Sequence, residues 1–519
     1  MKHIKKVITL FLALAMMLAM SSVTFAADGD LTVDAKVTVS GFEEGDTVTA
    51  YQFITWDAEN NNWKVAEGVG LTLDQITDGL TKEELATLAS HTDKMTAATG
   101  TTTGTTWEKT CGTVETAGSY LVLVTANDAS HIYNPAVVSA DFDGTNSAAV
   151  NLSEDTANIK KQNVTVEKEA NNAPDDYDVQ VGDIVPFTVT VTVPQYNTNW
   201  TEPYFAVSDT LSSGLTIADG HTPVVKNGTK TLVKDTDYTL TKGSAGQDGF
   251  TITFTENYLK ENASASLTIE YSALVGEGVK DTSQVHEEKN KVKLEFSNNP
   301  SDSSKHKKKE VETHHYTFAI DANRLGEGSQ KTNELIKVGV DKNGNPITQY
   351  NEKESMPTGA SPLAGATFKL TGVGPNNTPN GFEQTFTTQA DGRITFNNLE
   401  VGTYQLEETK APAGYTKDTT GPHTVKIEAE YNADSTLKNY TITIDGTATS
   451  TYTATTSEST TTYEAPANGN PVFPINNKKG AELPSTGGMG TTIFYILGAL
   501  LVVGCGIVLV SRRRMNKNK

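Results

Sequence analysis

Pro186-Phe-Thr-Val-Thr-Val-Thr-Val193 decides the fold class. Its apolar residues fall on every second position, so one face is greasy and the other carries threonine hydroxyls. A period of two is that of a half-buried β-strand, not of a helix. Similar runs recur outward from it: Leu31-Thr-Val-Asp-Ala-Lys-Val-Thr-Val39, Tyr120-Leu-Val-Leu-Val124, Phe250 to Thr255 and Ser266 to Tyr271. Gly, Asn and Asp break these runs, as turns require. The chain is therefore expected to be mostly β. The clearest helix signal is Thr81 to Ala89, where Thr81 and Glu84 form a capping box and Leu85 and Leu88 share a face. Met95 to Thr106 and the Ser/Thr-rich stretch Thr447 to Thr462 have little to bury and are expected to be loops. Ser301 to Lys309 reads as a solvated, charged connector.

Both ends carry processing signals. Lys2, Lys5 and Lys6 precede an apolar run from Val7 to Met20, and Val23-Thr-Phe-Ala26 offers small residues for cleavage. Residues 1–26 thus read as a secretory signal peptide cut after Ala26. A cut after Ala27 would leave bulky Phe25 three residues before it. At the other end, residues 493–510 are 18 apolar or small residues, enough to span a bilayer. Arg512, Arg513 and Arg514, in a basic tail of residues 511–519, hold that end in the cytoplasm. Just before the helix, Leu483-Pro-Ser-Thr-Gly487 fits the LPxTG signal that sortase transpeptidases cut between Thr and Gly. An ordinary single-pass membrane protein does not account for signal, helix and basic tail in this order.

Processing leaves a very acidic chain. Three lysines go with the signal and five basic residues with the tail, so 34 basic face 63 acidic residues, a net charge of −29. Such a surface disfavours nucleic acid and anionic membrane as partners. Of the two cysteines, Cys505 lies in the discarded helix, so Cys111 stands alone and no intrachain disulfide forms. Cys111 is expected to be a small buried apolar residue. A secreted chain of about 460 residues, about three domains long, must be toughened some other way.

The segments are read as 27–160, 161–310 and 311–480. In the third, Asp391-Gly-Arg-Ile-Thr-Phe-Asn-Asn-Leu399 leads into Gly402-Thr-Tyr-Gln-Leu-Glu-Glu-Thr-Lys-Ala-Pro-Ala-Gly-Tyr415, and Pro362 to Phe368 reads PLAGATF. This resembles the B-type repeat of the collagen-adhesin (Cna) superfamily. Tyr404, Leu406, Glu408, Thr409, Ala411, Pro412, Gly414 and Tyr415 match the pilin E-box. The second segment resembles the fimbrial isopeptide-forming D2 domain through Val181-Gly-Asp183, Val207-Ser-Asp-Thr-Leu211 with Gly214-Leu215, and Asn290-Lys-Val-Lys-Leu294. The whole chain resembles the backbone pilins of Gram-positive bacteria, which implies tandem immunoglobulin-like (Cna-type) β-sandwiches.

Such domains cross-link themselves. A first-strand lysine attacks the side-chain amide of a last-strand asparagine, ammonia leaves, and a neighbouring carboxylic acid assists. The site must be dry, because only desolvation keeps the lysine neutral and the acid protonated. The resemblance implies Lys168, Asp209 and Asn290 in the second segment. In the third it implies Lys337, Glu408 and Asn477. Asn476 competes, but alternation from Ile475 puts Asn477 on the apolar residue's face. No triad is assignable in the first segment, so no bond is expected there. The polymerisation lysine of the family lies near the first domain junction. Here Asn158-Ile-Lys-Lys-Gln162 occupies that place, with Lys161 as acceptor and Lys160 as alternative; the usual Tyr-Pro is absent.

The expected function is that of a structural subunit of a sortase-assembled pilus on the cell surface, linked from Thr486 to Lys161 of the next copy. The expected partners are pilin-specific and housekeeping sortases, further copies, accessory pilins, peptidoglycan and, for adhesion, a host surface ligand. The alternative is a singly wall-anchored adhesin or minor pilin. A surface enzyme is disfavoured, since no catalytic motif beyond self-cross-linking is recognisable. No cofactor is expected, nor a metal: the pair His314-His315 reads as a surface position.

Overall fold

The computed structural model describes residues 35–140, 154–320, 335–340 and 361–516, less 58, 61, 78, 171–176, 197–199, 201, 244–247, 280–282, 300, 303, 375–378, 458–459, 465–472 and 480–488. The signal peptide and the LPSTG motif (483–487) lie outside the described residues. The chain forms two compact units, one of residues up to 279 with 287–315, the other of residues 280–286 and from 316 onward.

Unit one opens with a sheet in the order Asp155–Asn158, Ala35–Ser40, Thr106–Cys111, Thr101–Thr103, its first pair parallel. A second sheet runs Asn62–Val65, Thr47–Asp57, Gly118–Thr125, Ala136–Ala140. Val37, Val39, Trp107, Tyr120 and Val122 fill the core of these strands. The helix Lys82–Ser90 starts at the predicted capping box, in which Glu84 N–H donates to Thr81 Oγ1 at 3.2 Å and Thr81 N–H to Glu84 Oε2 at 2.8 Å.

Nearly all of Pro186 to Val193 lies in the strand Ile184–Thr192, where Val185, Phe187, Val189 and Val191 are buried and the intervening threonines half-buried. Its sheet has the order Val166–Ala170, Ile184–Thr192, Ser266–Val275, Val224–Asn227, Lys230–Thr231. Facing it are Tyr238–Lys242, Gly249–Phe254, Phe205–Leu211, Val285–Ser297 and His306–Ile320. One apolar core, with Phe187, Val189, Phe205, Val207, Leu294 and Phe296, lies between the two sheets.

Unit two has a three-stranded sheet, Ser361–Pro362, Leu335–Val340, Phe473–Lys478, in which the last two strands are parallel. The other sheet has seven strands, in the order Pro379–Thr387, Thr367–Val373, Gly402–Lys410, His423–Tyr431, Leu437–Ile444, Ala448–Ser457, Thr460–Glu464. A helix, Met489–Met515, comes after the last strand. Its segment Ile493–Met515 has a mean hydropathy of 2.8 and is long enough to cross a membrane.

Four expectations change. Thr447 to Thr462 is a hairpin rather than a loop. Its threonines pair across strands (Thr456 Oγ1 to Thr461 Oγ1, 3.1 Å), and Tyr452 stacks on Tyr440 at 4.8 Å. β-branched residues favour strands even without an apolar face, a preference that hydrophobic periodicity does not register. Met95 to Thr106 likewise contains two strands, Thr96–Ala98 and Thr101–Thr103. The charged connector ends early, because His306 begins a strand; Lys307 donates to the Asn127 carbonyl at 2.6 Å and Lys309 to that of Val164 at 3.2 Å. His314 and His315 are buried, not on the surface. His315 packs edge-on to Phe187 (5.4 Å between centroids), and burial drives its imidazole down to about 3, so it stays neutral. Cys111 is buried, and burial raises its thiol pKa.

Candidate functional site: two buried lysine clusters and an exposed lysine

Strand register assembles the first cluster. Leu211 lies opposite Asn290, so Asp209 is the diagonal neighbour of Asn290 on the same face. From the facing sheet, Lys168 (strand Val166–Ala170) and Tyr271 (strand Ser266–Val275) point to the same spot. Lys168 Nζ donates to Asp209 Oδ2 at 2.5 Å and to the Tyr271 hydroxyl at 2.9 Å. Asn290 Nδ2 donates to the same hydroxyl at 2.7 Å. Asn290 Oδ1 and Asp209 Oδ1 are buried without a hydrogen-bond partner among the described residues. Phe187 lies beside the amine, its centroid 5.2 Å from Nζ.

The side chains of Lys168 and Asp209 are 0% exposed, and burial shifts both groups toward their neutral forms. Burial pulls the Lys168 amine down to about 8, against the opposing pull of the Asp209 charge. Burial pushes the Asp209 carboxyl up, against Lys168. Both shifts favour a neutral amine beside a protonated acid. Tyr271 is held well above the usual phenol range, by burial first and the Asp209 charge second, so it stays protonated.

The second cluster is tighter. Lys337 and Asn477 come from the two parallel strands, where Lys337 is level with Ile475 and Gly339 with Asn477. Glu408, in the E-box strand Gly402–Lys410, faces them from the larger sheet. Lys337 Nζ lies 2.5 Å from Asn477 Oδ1 and 3.1 Å from Glu408 Oε2, and Asn477 Nδ2 donates to Glu408 Oε1 at 2.8 Å. Each of the three groups thus touches the other two. Glu408 Oε2 also accepts the Asp418 backbone N–H at 2.6 Å. Burial lowers the Lys337 pKa, opposed by the Glu408 charge. Asn476, the competing residue, is only half-buried, and its Oδ1 has no hydrogen-bond partner among the described residues.

The rest of the E-box builds the walls. Tyr404 and Leu406 are buried, the Tyr404 hydroxyl donating to the Glu400 carbonyl at 2.8 Å. Thr409 Oγ1 donates to the Thr367 carbonyl at 3.1 Å. Ala411, buried Pro412 and Gly414 turn the chain so that Tyr415 covers the lysine strand. A Cβ on Gly339 would sit 2.8 Å from the Tyr415 ring, so only glycine fits under it. Gly392, at φ +72°, brings its carbonyl to the Lys337 N–H at 2.7 Å; a Cβ there would lie 2.5 Å from the Lys337 carbonyl oxygen.

The lysines at the junction of the first two segments are exposed. Lys161 begins the strand Lys161–Asn163, which pairs with His131–Tyr133 and sets Lys161 opposite Tyr133. Its Nζ lies 2.6 Å from Glu43 Oε1, with 44% of the lysine side chain exposed. The Tyr133 hydroxyl, which donates to Asp46 at 2.6 Å, also accepts the Glu43 N–H at 3.0 Å, so the Glu43 backbone is fixed. Lys160 is also exposed, its carbonyl accepting from Asn134 N–H at 2.9 Å. Leu483, Pro484, Ser485, Thr486 and Gly487 lie outside the described residues. Tyr271 and Glu43 were not singled out from the sequence. Tyr271 had a signal: it ends the predicted strand Ser266 to Tyr271 on the apolar side, but a tyrosine there reads first as core.

Known proteins resemble this chain along its length. Residues 181–300 match the family model of the Gram-positive pilin backbone subunit 2, Cna-B-like domain. Residues 352–441 match the SpaA prealbumin-like fold domain, and 475–517 the LPXTG cell wall anchor motif. The trypsin-resistant surface T6 protein of Streptococcus pyogenes serotype M6 is 25% identical over 92% of this chain and 95% of its own. The structure of the T6 backbone pilin of that serotype covers 88% of this chain and all of its own, with 19% identity and a TM-score of 0.58. The full-length major pilin SpaD of Corynebacterium diphtheriae has the same coverage and identity with a TM-score of 0.49. A pilin-backbone domain, a prealbumin-like domain and a cell-wall anchor motif, in that order on a mostly β chain, liken this protein to the Gram-positive backbone pilins.

Proposed function

We propose that the chain is the repeating subunit of a covalent pilus, joined from Thr486 to Lys161 of the next copy, and that Lys168–Asn290 and Lys337–Asn477 close as isopeptide bonds. The observation that carries the internal bonds is the contact of Lys337, Asn477 and Glu408 in a site with no solvent exposure. A desolvated, neutral amine held against a carboxamide needs no further reagent, because effective molarity supplies the rate. Asp209 and Glu408 assist. The amine displaces ammonia once, so the chain is a structural subunit rather than an enzyme with turnover.

For polymerisation, an exposed amine at the start of a short paired strand supports Lys161. A pilin-specific sortase would present Thr486 as a thioacyl, which that amine attacks; a housekeeping sortase would attach the last subunit to peptidoglycan. Accessory pilins would join the same polymer. The second reading, a singly anchored adhesin or minor pilin, rests on the missing Tyr-Pro before the lysine.

Coexpression with the cognate sortase separates the two. The wild type is expected to give a ladder of SDS-resistant high-mass species, and a Lys160→Ala, Lys161→Ala double variant none. A ladder that persists in the double variant rules out this acceptor site. A wild type without a ladder rules out the backbone role in favour of single anchoring. Intact mass of the processed chain is expected to fall short by two ammonias.

A further inference from the structure

We propose that Tyr271 is a catalytic residue of the Lys168–Asn290 cluster, carrying the proton that the attacking amine gives up to the nitrogen that leaves. The inference rests on the isopeptide reading above and adds to it a fourth group.

Two nitrogens must exchange a proton in this reaction. Lys168 Nζ must lose one on bonding to carbon, and Asn290 Nδ2 must gain one to depart as ammonia. The Tyr271 hydroxyl lies 2.9 Å from the first and 2.7 Å from the second. Both distances are those of hydrogen bonds. A phenol hydroxyl both accepts and donates, so it can take one proton while releasing another.

The acid beside it does not span both nitrogens. Asp209 Oδ2 contacts Lys168, but its Oδ1 has no partner among the described residues, and Asn290 gives its N–H to the phenol instead. In the second cluster Glu408 does span both, with Oε1 on the Asn477 nitrogen and Oε2 on the Lys337 amine. Aspartate is shorter than glutamate by one carbon–carbon bond, about 1.5 Å. Tyr271 supplies the missing reach.

The step balances. The neutral Lys168 amine bonds to Asn290 Cγ. Its surplus proton passes to the Tyr271 oxygen as the phenol proton passes to Nδ2. The Cγ–Nδ2 bond breaks, ammonia leaves, and Tyr271 is again a phenol. One C–N bond forms, one breaks, and nothing is oxidised. Burial keeps the phenol protonated at the outset. The ring is fixed independently of its hydroxyl, stacked on Phe187 at 5.3 Å and edge-on to Phe250 at 5.0 Å. Tyr271→Phe therefore removes the proton carrier and leaves the packing.

The test tracks bond formation in time after synthesis of the full-length chain in a cell-free system with detergent. Mass spectrometry reads the two joined peptide pairs of each molecule. In Tyr271→Phe, the Lys168–Asn290 pair is expected to form at least tenfold more slowly, with the Lys337–Asn477 pair at its wild-type rate. A wild-type rate for both pairs overturns the proposal. A wild type that never joins Lys168 to Asn290 overturns the underlying reading instead. Should the phenylalanine variant misfold, 3-fluorotyrosine placed at position 271 keeps the shape and changes the phenol acidity. A shifted rate for the Lys168 pair alone is expected there; an unshifted rate overturns the proposal.

Discussion

The two lysine clusters each hold an amine, a carboxamide and a carboxyl group but sit differently in their sheets. Lys168 and Asn290 belong to opposite sheets, so their contact crosses a core. Lys337 and Asn477 belong to adjacent parallel strands of one sheet, and the acid comes from across the core. The difference teaches that the geometry of the strands sets the reach the acid needs. Where amine and amide are neighbours, one glutamate covers both nitrogens. Where they meet across sheets, aspartate touches only one and a phenol touches the other.

The largest effect expected is on stability. The residue separations are 122 for Lys168 and Asn290 (290 − 168) and 140 for Lys337 and Asn477. In the chain-entropy picture, closing loops of this size stabilises by about 5 kcal/mol each. Lys168→Ala and Lys337→Ala are each expected to lower the Tm of their own unit by roughly 10–20 °C in calorimetry. Equal melting of variant and wild type would mean that no bond closes there.

Next in size is the loss of one bond without the other. Asp209→Ala is expected to retain one ammonia more than the wild type, located by peptide mapping at Lys168 and Asn290, and Glu408→Ala one more at Lys337 and Asn477. Loss of both bonds in either variant would break the comparison, because it would make the clusters interdependent.

A smaller effect concerns pH. Asn290→Ala leaves Lys168 buried and unbonded, with its pKa lowered to about 8 from the ordinary 10.5. Between those values the unfolded chain binds more protons than the folded one, so stability rises with pH across that window. The expected slope is at most about 1.4 kcal/mol per pH unit, read by urea unfolding at pH 8 and 10 against a Lys168→Met, Asn290→Ala control. No slope relative to the control would mean that the amine is solvated. The smallest change is expected of Asn476→Ala, which should leave the ammonia count unaltered and stability within about 1 kcal/mol.

Much of this was legible in the sequence for identifiable reasons. Alternation in Pro186 to Val193 and the capping box at Thr81 are local signals, and both appear where expected. Alternation from Ile475 places Asn477 inward, where it is fully buried. What stayed hidden was nonlocal. Nothing near Tyr271 in sequence says that a lysine from one strand and an asparagine from the opposite sheet meet on its hydroxyl. The threonine hairpin Ala448–Ser457 and Thr460–Glu464 escaped because its backbone-paired strands carry threonine hydroxyls rather than an apolar stripe, with Tyr452 stacked on Tyr440 of the neighbouring strand Leu437–Ile444.

Lys161 begins the first strand of the second segment, and this has a mechanical consequence. If each copy is pulled between Lys161 and Thr486, tension enters the chain at residue 161. Residues 27 to 160 then fall outside the stretch between the two joined residues. Only the chain beyond residue 161 must resist extension, and both buried lysine clusters lie in that part. Among the described residues of the first segment no lysine is buried. A domain that carries no load has no use for a covalent strut.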